Sequence, residues 1–308
     1  IEYGLAIKAI KNHYPKKIIG VAHVGHFKDF FYNHFGIEHV YDYISAEGLF
    51  FFDSVFHFTS EIQDLVFQKY DRKNIEKIIT DYFKIPLYRN KETTNNKKIE
   101  INTISIFPIS QSPLRSLPIF ILNAIITNFV GNYKIEIFLD SKSEISNYIK
   151  DNLQLKNKLT FYDPRNLNIL MQHVKNIQFG IFPDSGPLHL AKILNKKGIL
   201  ITSSVHHDIL LNQFFSIKGI ESYYKSKYCN GPCGLVNSFE YDGSSGCYDS
   251  LSVFKDDIMS IQNKKNLQRG NLKKNYLKLY MNSVNCFKHY NNKIINKNIE
   301  RHLENNKI

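Results

Sequence analysis

No uninterrupted apolar run of about 18 residues or more occurs in the chain, so a membrane-spanning helix is not expected. A leader pattern is missing too. Ile1 rather than Met comes first, with no charged stretch followed by an apolar one, so the expectation is a true start upstream of Ile1. Cysteine is scarce, with 4 residues and none before Cys229. What is present suffices for a globular protein: 308 residues, 43% of them hydrophobic, allow two domains of ordinary size, each with a core.

The chain carries 40 Lys and Arg against 28 Asp and Glu, a formal net charge of +12. Such an excess suits nucleic acid, where basic side chains gain by releasing counterions. Here, however, the lysines are dispersed among Asn and Ile, and the densest basic region starts only at Lys264. A solvated helix face is the reading there, and no nucleic-acid partner is expected.

The apolar periodicity switches repeatedly between helix and strand. Tyr3 to Tyr14 predicts a helix, Lys17 to Val24 a strand, Phe27 to Phe35 a helix ended by Gly36, and Val40 to Ile44 a strand. Leu49 to Asp53 predicts a central strand, and Glu61 to Phe83 turns helical. The polar, Asn-rich run Lys91 to Lys98 marks a domain boundary. Strands then fall at Ile99 to Pro108, Lys134 to Leu139, Leu159 to Tyr162, up to Phe182, and Gly198 to Thr202. Helices lie between them at Phe120 to Val130, Leu167 to Val174 and Leu188 to Leu194, and later ones at Leu251 to Ile261 and Leu272 to Met281. This β-α alternation implies open parallel sheets, whose ligands lie beyond the carboxyl ends of the strands. The expected units are residues 1–95, residues 96–270 with a Cys-rich insertion at 228–248, and a basic helical tail at 271–308.

Asp184-Ser185-Gly186-Pro187-Leu188-His189 forms the corner between a buried strand and a helix. The first amides of a helix have no partner within it, and the peptide dipoles place partial positive charge there, so such corners hold anions. Gly186 permits close approach of a ligand, Pro187 suits the first helical turn, and His189 faces whatever the corner binds.

At these residues the sequence resembles the heptosyltransferase-like glycosyltransferases of family 9, whose signature D-[ST]-G-P-x-H-x-A is met by Asp184, Ser185, Gly186, Pro187, His189 and Ala191. The resemblance implies an α/β enzyme of the GT-B class, two Rossmann-like domains facing across a cleft. The amides of Ser185 to Leu188 would hold the diphosphate of a nucleotide-sugar donor, and His189 would either orient or neutralise it. It also implies a donor loop at Ser110-Gln111-Ser112-Pro113-Leu114-Arg115, with Arg115 on the phosphates. Glu144 or Asp140 would reach the ribose or else cap a helix, and His206 and His207 would line the donor site or lie on the surface. The general base, a carboxylate after the first strand, falls upstream of Ile1, so the first unit would lack that strand. The reaction implied is transfer of a sugar, most plausibly heptose from ADP-heptose, to a hydroxyl of a glycan, lipopolysaccharide, glycolipid or protein, with no cofactor needed for catalysis. Substitution of Asp184 or Arg115 is expected to lower turnover without unfolding. A cytoplasmic protein follows, either free or peripheral at the anionic inner membrane face. The competing reading is a non-catalytic nucleotide- or glycan-binding protein. The basic tail is expected to cross back to the first domain, with its end only partly ordered.

The cysteines are Cys229, Cys233, Cys247 and Cys286. A Cys-x3-Cys knuckle with two further thiols can hold one tetrahedral ion, structural zinc or iron, with His289 or water in place of the distant Cys286. Disulfides and free thiols stay open as alternatives.

Overall fold

The computed structural model describes residues 4–22, 28–58, 74–86, 100–211, 216–262 and 276–305. The expected boundary at Lys91 to Lys98, the first part of the Glu61 to Phe83 helix, and the start of the basic tail lie outside these residues.

The first unit runs α1 (Gly4–His13), β1 (Gly20–Ala22), α2 (Lys28–Phe35), β2 (His39–Tyr41), α3 (Ala46–Leu49) and α4 (Ile75–Tyr82). β1 and β2 pair in parallel. Gly36, at φ +59°, ends α2 in the left-handed conformation that lacks a penalty only for glycine. The Lys11 ammonium closes that end by donating to the carbonyls of Phe35 and Gly36, both at 2.6 Å. The strand expected at Leu49 to Asp53 is not formed. Ser45 caps α3 by accepting from the Gly48 amide at 3.1 Å, and the amides of Phe50, Phe51 and Phe52 bond three residues back, which leaves them nothing to offer a sheet. Phe50 and Phe51 are 89% and 90% exposed.

The second unit is a six-stranded parallel sheet of β3 (Thr103–Ile106), β4 (Lys134–Phe138), β5 (Leu159–Tyr162), β6 (Phe179–Phe182), β7 (Gly198–Ile201) and β8 (Ile217–Ile220). Its spatial order is β5-β4-β3-β6-β7-β8. Counted within the unit this is 3-2-1-4-5-6, the doubly wound Rossmann order. The fold is thus α/β, of the expected class; β8 is the strand that the pattern did not announce. Gly180 and Gly198 are register partners. A methyl on Gly198 would sit 2.3 Å from the Gly180 carbonyl oxygen, and one on Gly180 2.1 Å from the Phe182 ring, so this spot admits only glycine.

One sheet face, with Ile104, Ile106, Ile135, Ile137, Ile181 and Ile199, packs against α5 (Ile119–Phe129) and α6 (Glu144–Asn152). The other face carries Phe107, Phe138 and Phe182. It packs against α7 (Leu167–Asn176) and α8 (Gly186–Ile193), and the same apolar core takes in Leu5, Phe30, Phe31, Ile75 and Ile79 of the first unit. The two units therefore meet through a shared core. Residues 276–305 do not cross to the first unit. They form α11 (Tyr276–Met281), α12 (Asn285–Lys288) and α13 (Asn292–Glu304), following α9 (His207–Leu210) and α10 (Lys255–Gln262). Ile295, Ile299 and Leu303 recur every four residues, and this single apolar stripe, with Tyr280 and Phe287, completes the core over the isoleucine face. Asn292–Glu304, within the stretch expected to be only partly ordered, is accordingly a packed helix. Among the described residues no helix is long and apolar enough to cross a membrane.

Candidate functional site

β3 and β6 are the neighbours at which the winding of the sheet reverses, so the loops leaving them diverge and open a crevice at the strands' carboxyl ends. Arg115, in the loop after β3, meets Asp184, in the corner after β6. Its Nη1 donates to Asp184 Oδ2 at 2.7 Å and to the Asp184 carbonyl at 3.2 Å. The two side chains are only 10% and 9% exposed. Nε of Arg115 is buried without a hydrogen-bond partner among the described residues.

The loop itself is tightly closed. Ser110 Oγ donates to the Asp184 carbonyl at 2.6 Å, and Ser112 Oγ accepts from the Leu114 amide at 3.4 Å. Ser116 Oγ accepts from the Ser110 amide at 3.0 Å and donates to the Ser112 carbonyl at 3.1 Å. Ser203, after β7, donates to the Leu114 carbonyl at 2.9 Å. Ser110 and Ser112, expected to touch a donor, thus use their hydroxyls to shape the loop that presents Arg115.

At the start of α8, Ser185 is extended (φ −155°, ψ 167°) and its hydroxyl does not cap the helix, donating instead to the Pro183 carbonyl at 3.2 Å. The amides of Ser185 and Gly186 meet no acceptor among the described residues, and Pro187 has no N–H. Leu188 falls out of the expected set: its side chain is fully buried and its amide donates to the Ser185 carbonyl at 3.1 Å. The anion-facing part of the corner is therefore two amides and the helix dipole.

His189 is 8% exposed, and its Nδ1 is buried without a partner among the described residues. Burial, then the positive charges of Lys192 and Arg115, hold its pKa well below the usual histidine value, so the ring is neutral at pH 7. One turn on, Lys192 pairs with Glu76 of α4, and both side chains are fully buried. This contact was missed. The only signal for it is a charged residue at a core-facing position of each helix, and that does not name the partner.

After β7, His206 is buried rather than superficial. Its Nδ1 accepts from the Asp208 amide at 3.1 Å, and Nε2 lies 3.1 Å from Glu221 Oε2. Ligand atoms of His206, His207 and Asp208 fall within 4.8 Å of one another. Asp140 and Glu144, the two candidates for ribose contact, lie after β4. Asp140 caps its own turn through the Lys142 amide at 2.9 Å, and Glu144 is exposed in the first turn of α6. Both follow β4, which lies on the far side of β3 from β6.

Cys229 and Cys233 lie in the loop after β8, Cys247 follows the hairpin of β9 (Phe239–Tyr241) and β10 (Ser244–Gly246), and Cys286 is in α12. All four line one cavity of about 20 Å³. None forms a disulfide. A hydrogen bond from Cys229 brings the Cys233 thiol down to about 7, giving that bond raises Cys229, and burial raises Cys286. Cys286, although distant in sequence, lines the same cavity as the other three, and His289 packs edge-on against Tyr224 at 5.6 Å. Asp249 ties the cluster together by accepting from Tyr224, Ser226 and Asn285. Gly234 joins it to the loop after β7 by donating to the Ser204 carbonyl at 2.7 Å.

Neither a protein-family model nor a curated protein matches the chain. Among solved structures, it is similar to a glycosyltransferase family 9 protein from Veillonella parvula (10% identity, 97% of this chain and 78% of that one, TM-score 0.44). It is also similar to the ADP-heptose lipopolysaccharide heptosyltransferase II of E. coli (14% identity, 54% and 46%, TM-score 0.36). A third is a dodecameric iron-containing heptosyltransferase bound to ADP-D-β-D-heptose (14% identity, 75% and 54%, TM-score 0.37). The chain spans about half the length of the two heptosyltransferases.

Proposed function

We propose that this chain is a glycosyltransferase whose donor is a nucleotide diphosphate sugar, ADP-heptose in the first instance, and whose acceptor is a hydroxyl of a glycan, glycolipid or protein. The observation that carries the reading is the joining of Arg115 and Asp184 across the switch point of a doubly wound sheet, beside the two unpartnered amides of Ser185 and Gly186. The acceptor oxygen attacks the anomeric carbon, the bond from that carbon to the phosphate oxygen breaks, and negative charge builds on the departing diphosphate. Ser185 and Gly186 donate to it, and the guanidinium, held by Asp184, supplies directed positive charge. His189, neutral in the ligand-free fold, would orient the diphosphate through a ring N–H. The acceptor's proton passes to a general base.

We infer that the four thiols hold zinc or iron: they line one small cavity from three segments and one of them is already acidic, although no three of their sulfurs lie within 4.8 Å of one another in the ligand-free fold. Cys229, Cys233, Cys247 and Cys286 would hold the ion, which would cross-link the loop, the hairpin and α12. No step of transfer passes through it. A nucleotide-sugar donor and four thiols without a disulfide suit a cytoplasmic protein, and the basic tail suits contact with an anionic membrane surface.

A thermal-shift comparison of ADP, GDP, UDP and CDP tests the reading. A ligand of the native state at about 100 times its Kd stabilises by about 2.7 kcal/mol, a readily measured rise in Tm. ADP is expected to give the largest rise, and failure of every diphosphate at millimolar concentration would overturn the proposal. Binding without sugar transfer to any acceptor would point to a binding protein instead.

A further inference from the structure

Lys192 sits three residues after His189 on α8, and Glu76 lies in the first turn of α4, so their ion pair joins the second unit to the first with neither side chain exposed. A second link crosses the same seam. Asn74 caps α4 by accepting from the Lys77 amide at 3.2 Å and donates to the Ile209 carbonyl at 3.3 Å. Oε2 of Glu76 is buried without a hydrogen-bond partner, so Lys192 alone orients that carboxylate among the described residues. Burying two ions costs several kcal/mol each, and an apolar pair of similar volume is often as stable or more so. Ile75, Ile79, Leu188 and Leu190 already supply apolar contact here. What the ion pair adds is direction: a fixed cation on the face of α8 that His189 shares at i, i+3 spacing.

We propose that Lys192, held by Glu76, is a positioning residue for the donor corner, fixing the opening turn of α8 and the surroundings of His189 relative to the first unit. The inference rests on the diphosphate reading above. The charged side chains whose field reaches His189 are Lys192 on its own helix and Arg115 from the loop after β3.

The test uses the full chain with Glu76→Met and Lys192→Met combined, ADP binding by calorimetry, and the ligand-free His189 titration by NMR. The variant is expected to melt no lower than wild type, to titrate His189 at higher pH because a nearby cation is gone, and to bind ADP about fivefold or more weakly, the smallest typical coupling between sites. A folded variant with wild-type titration and wild-type affinity overturns the inference and leaves the pair a filler of the seam. Should wild type itself not bind ADP, the diphosphate reading fails, and an unmoved His189 midpoint would overturn the inference separately. Lys192→Arg keeps the cation but displaces it. It is expected to leave the His189 midpoint in place and to weaken ADP, and undiminished affinity there would also overturn the positioning role.

Discussion

Removing one partner of the Arg115–Asp184 pair should damage the fold more than removing both. In wild type, Nη1 of Arg115 is shared between a carboxylate oxygen at 2.7 Å and a carbonyl at 3.2 Å, while Nε has no partner among the described residues. With Asp184→Ala, the guanidinium keeps only that carbonyl, in a place where its side chain is 10% exposed. Leaving one ion of a buried pair uncompensated costs about 3–5 kcal/mol. Against a total stability of about 5–15 kcal/mol this is a large share, equivalent to a fall in Tm on the order of 10 °C. Arg115→Met strands the Asp184 carboxylate in the same way and should cost a similar amount. The double variant carries neither charge and should lie closer to wild type than either single. Urea unfolding of the four proteins gives the coupling energy from a double-mutant cycle. A coupling under about 0.5 kcal/mol, with both singles near wild type, is what a solvent-screened surface pair gives, and it would refute the reasoning.

Two more measurements bear on the site. The pKa of His189 is depressed in the folded chain below its unfolded value of about 6.5, so the unfolded state binds more protons and stability falls as pH drops below about 6.5. His34 and His302 are shifted in the same direction, so the comparison must be between wild type and His189→Gln. The variant should lose up to about one proton's worth of slope between pH 7 and 5, and parallel curves would rule the shift out. In metal-free protein at pH 7, iodoacetamide should label Cys233 before Cys229 and Cys286, because Cys233 lies at about 7 while the other two are raised. Peptide mass spectrometry reads the order, and its reversal would contradict the thiol assignment.

Much of the site was legible because it is local. The apolar runs ending at Ile106 and Phe182 predict strands, the Pro and Gly of the corner predict a helix start, and β5 falls on Leu159–Tyr162 as the pattern has it. β8 escaped because Ile217–Ile220 is a short edge strand, whose pairing with β7 and not its own periodicity makes it one. Phe50 and Phe51 misled for the converse reason: apolar side chains do not make a strand where the amides are already bonded three residues back.

The amino-acid sequence by itself determined the β-α alternation, the strand-to-helix corner at Ser185 and Gly186, and the arginine in the loop after β3, because each depends on residues within a turn or two of one another. Only the tertiary structure decided what those groups face. It set Asp184 against Arg115, sealed Lys192 onto Glu76, and brought Cys286 to the three earlier thiols. Such pairings cross tens or hundreds of residues, and they are selected by how the sheet faces pack and where charge can be buried with a partner, which no local spacing encodes.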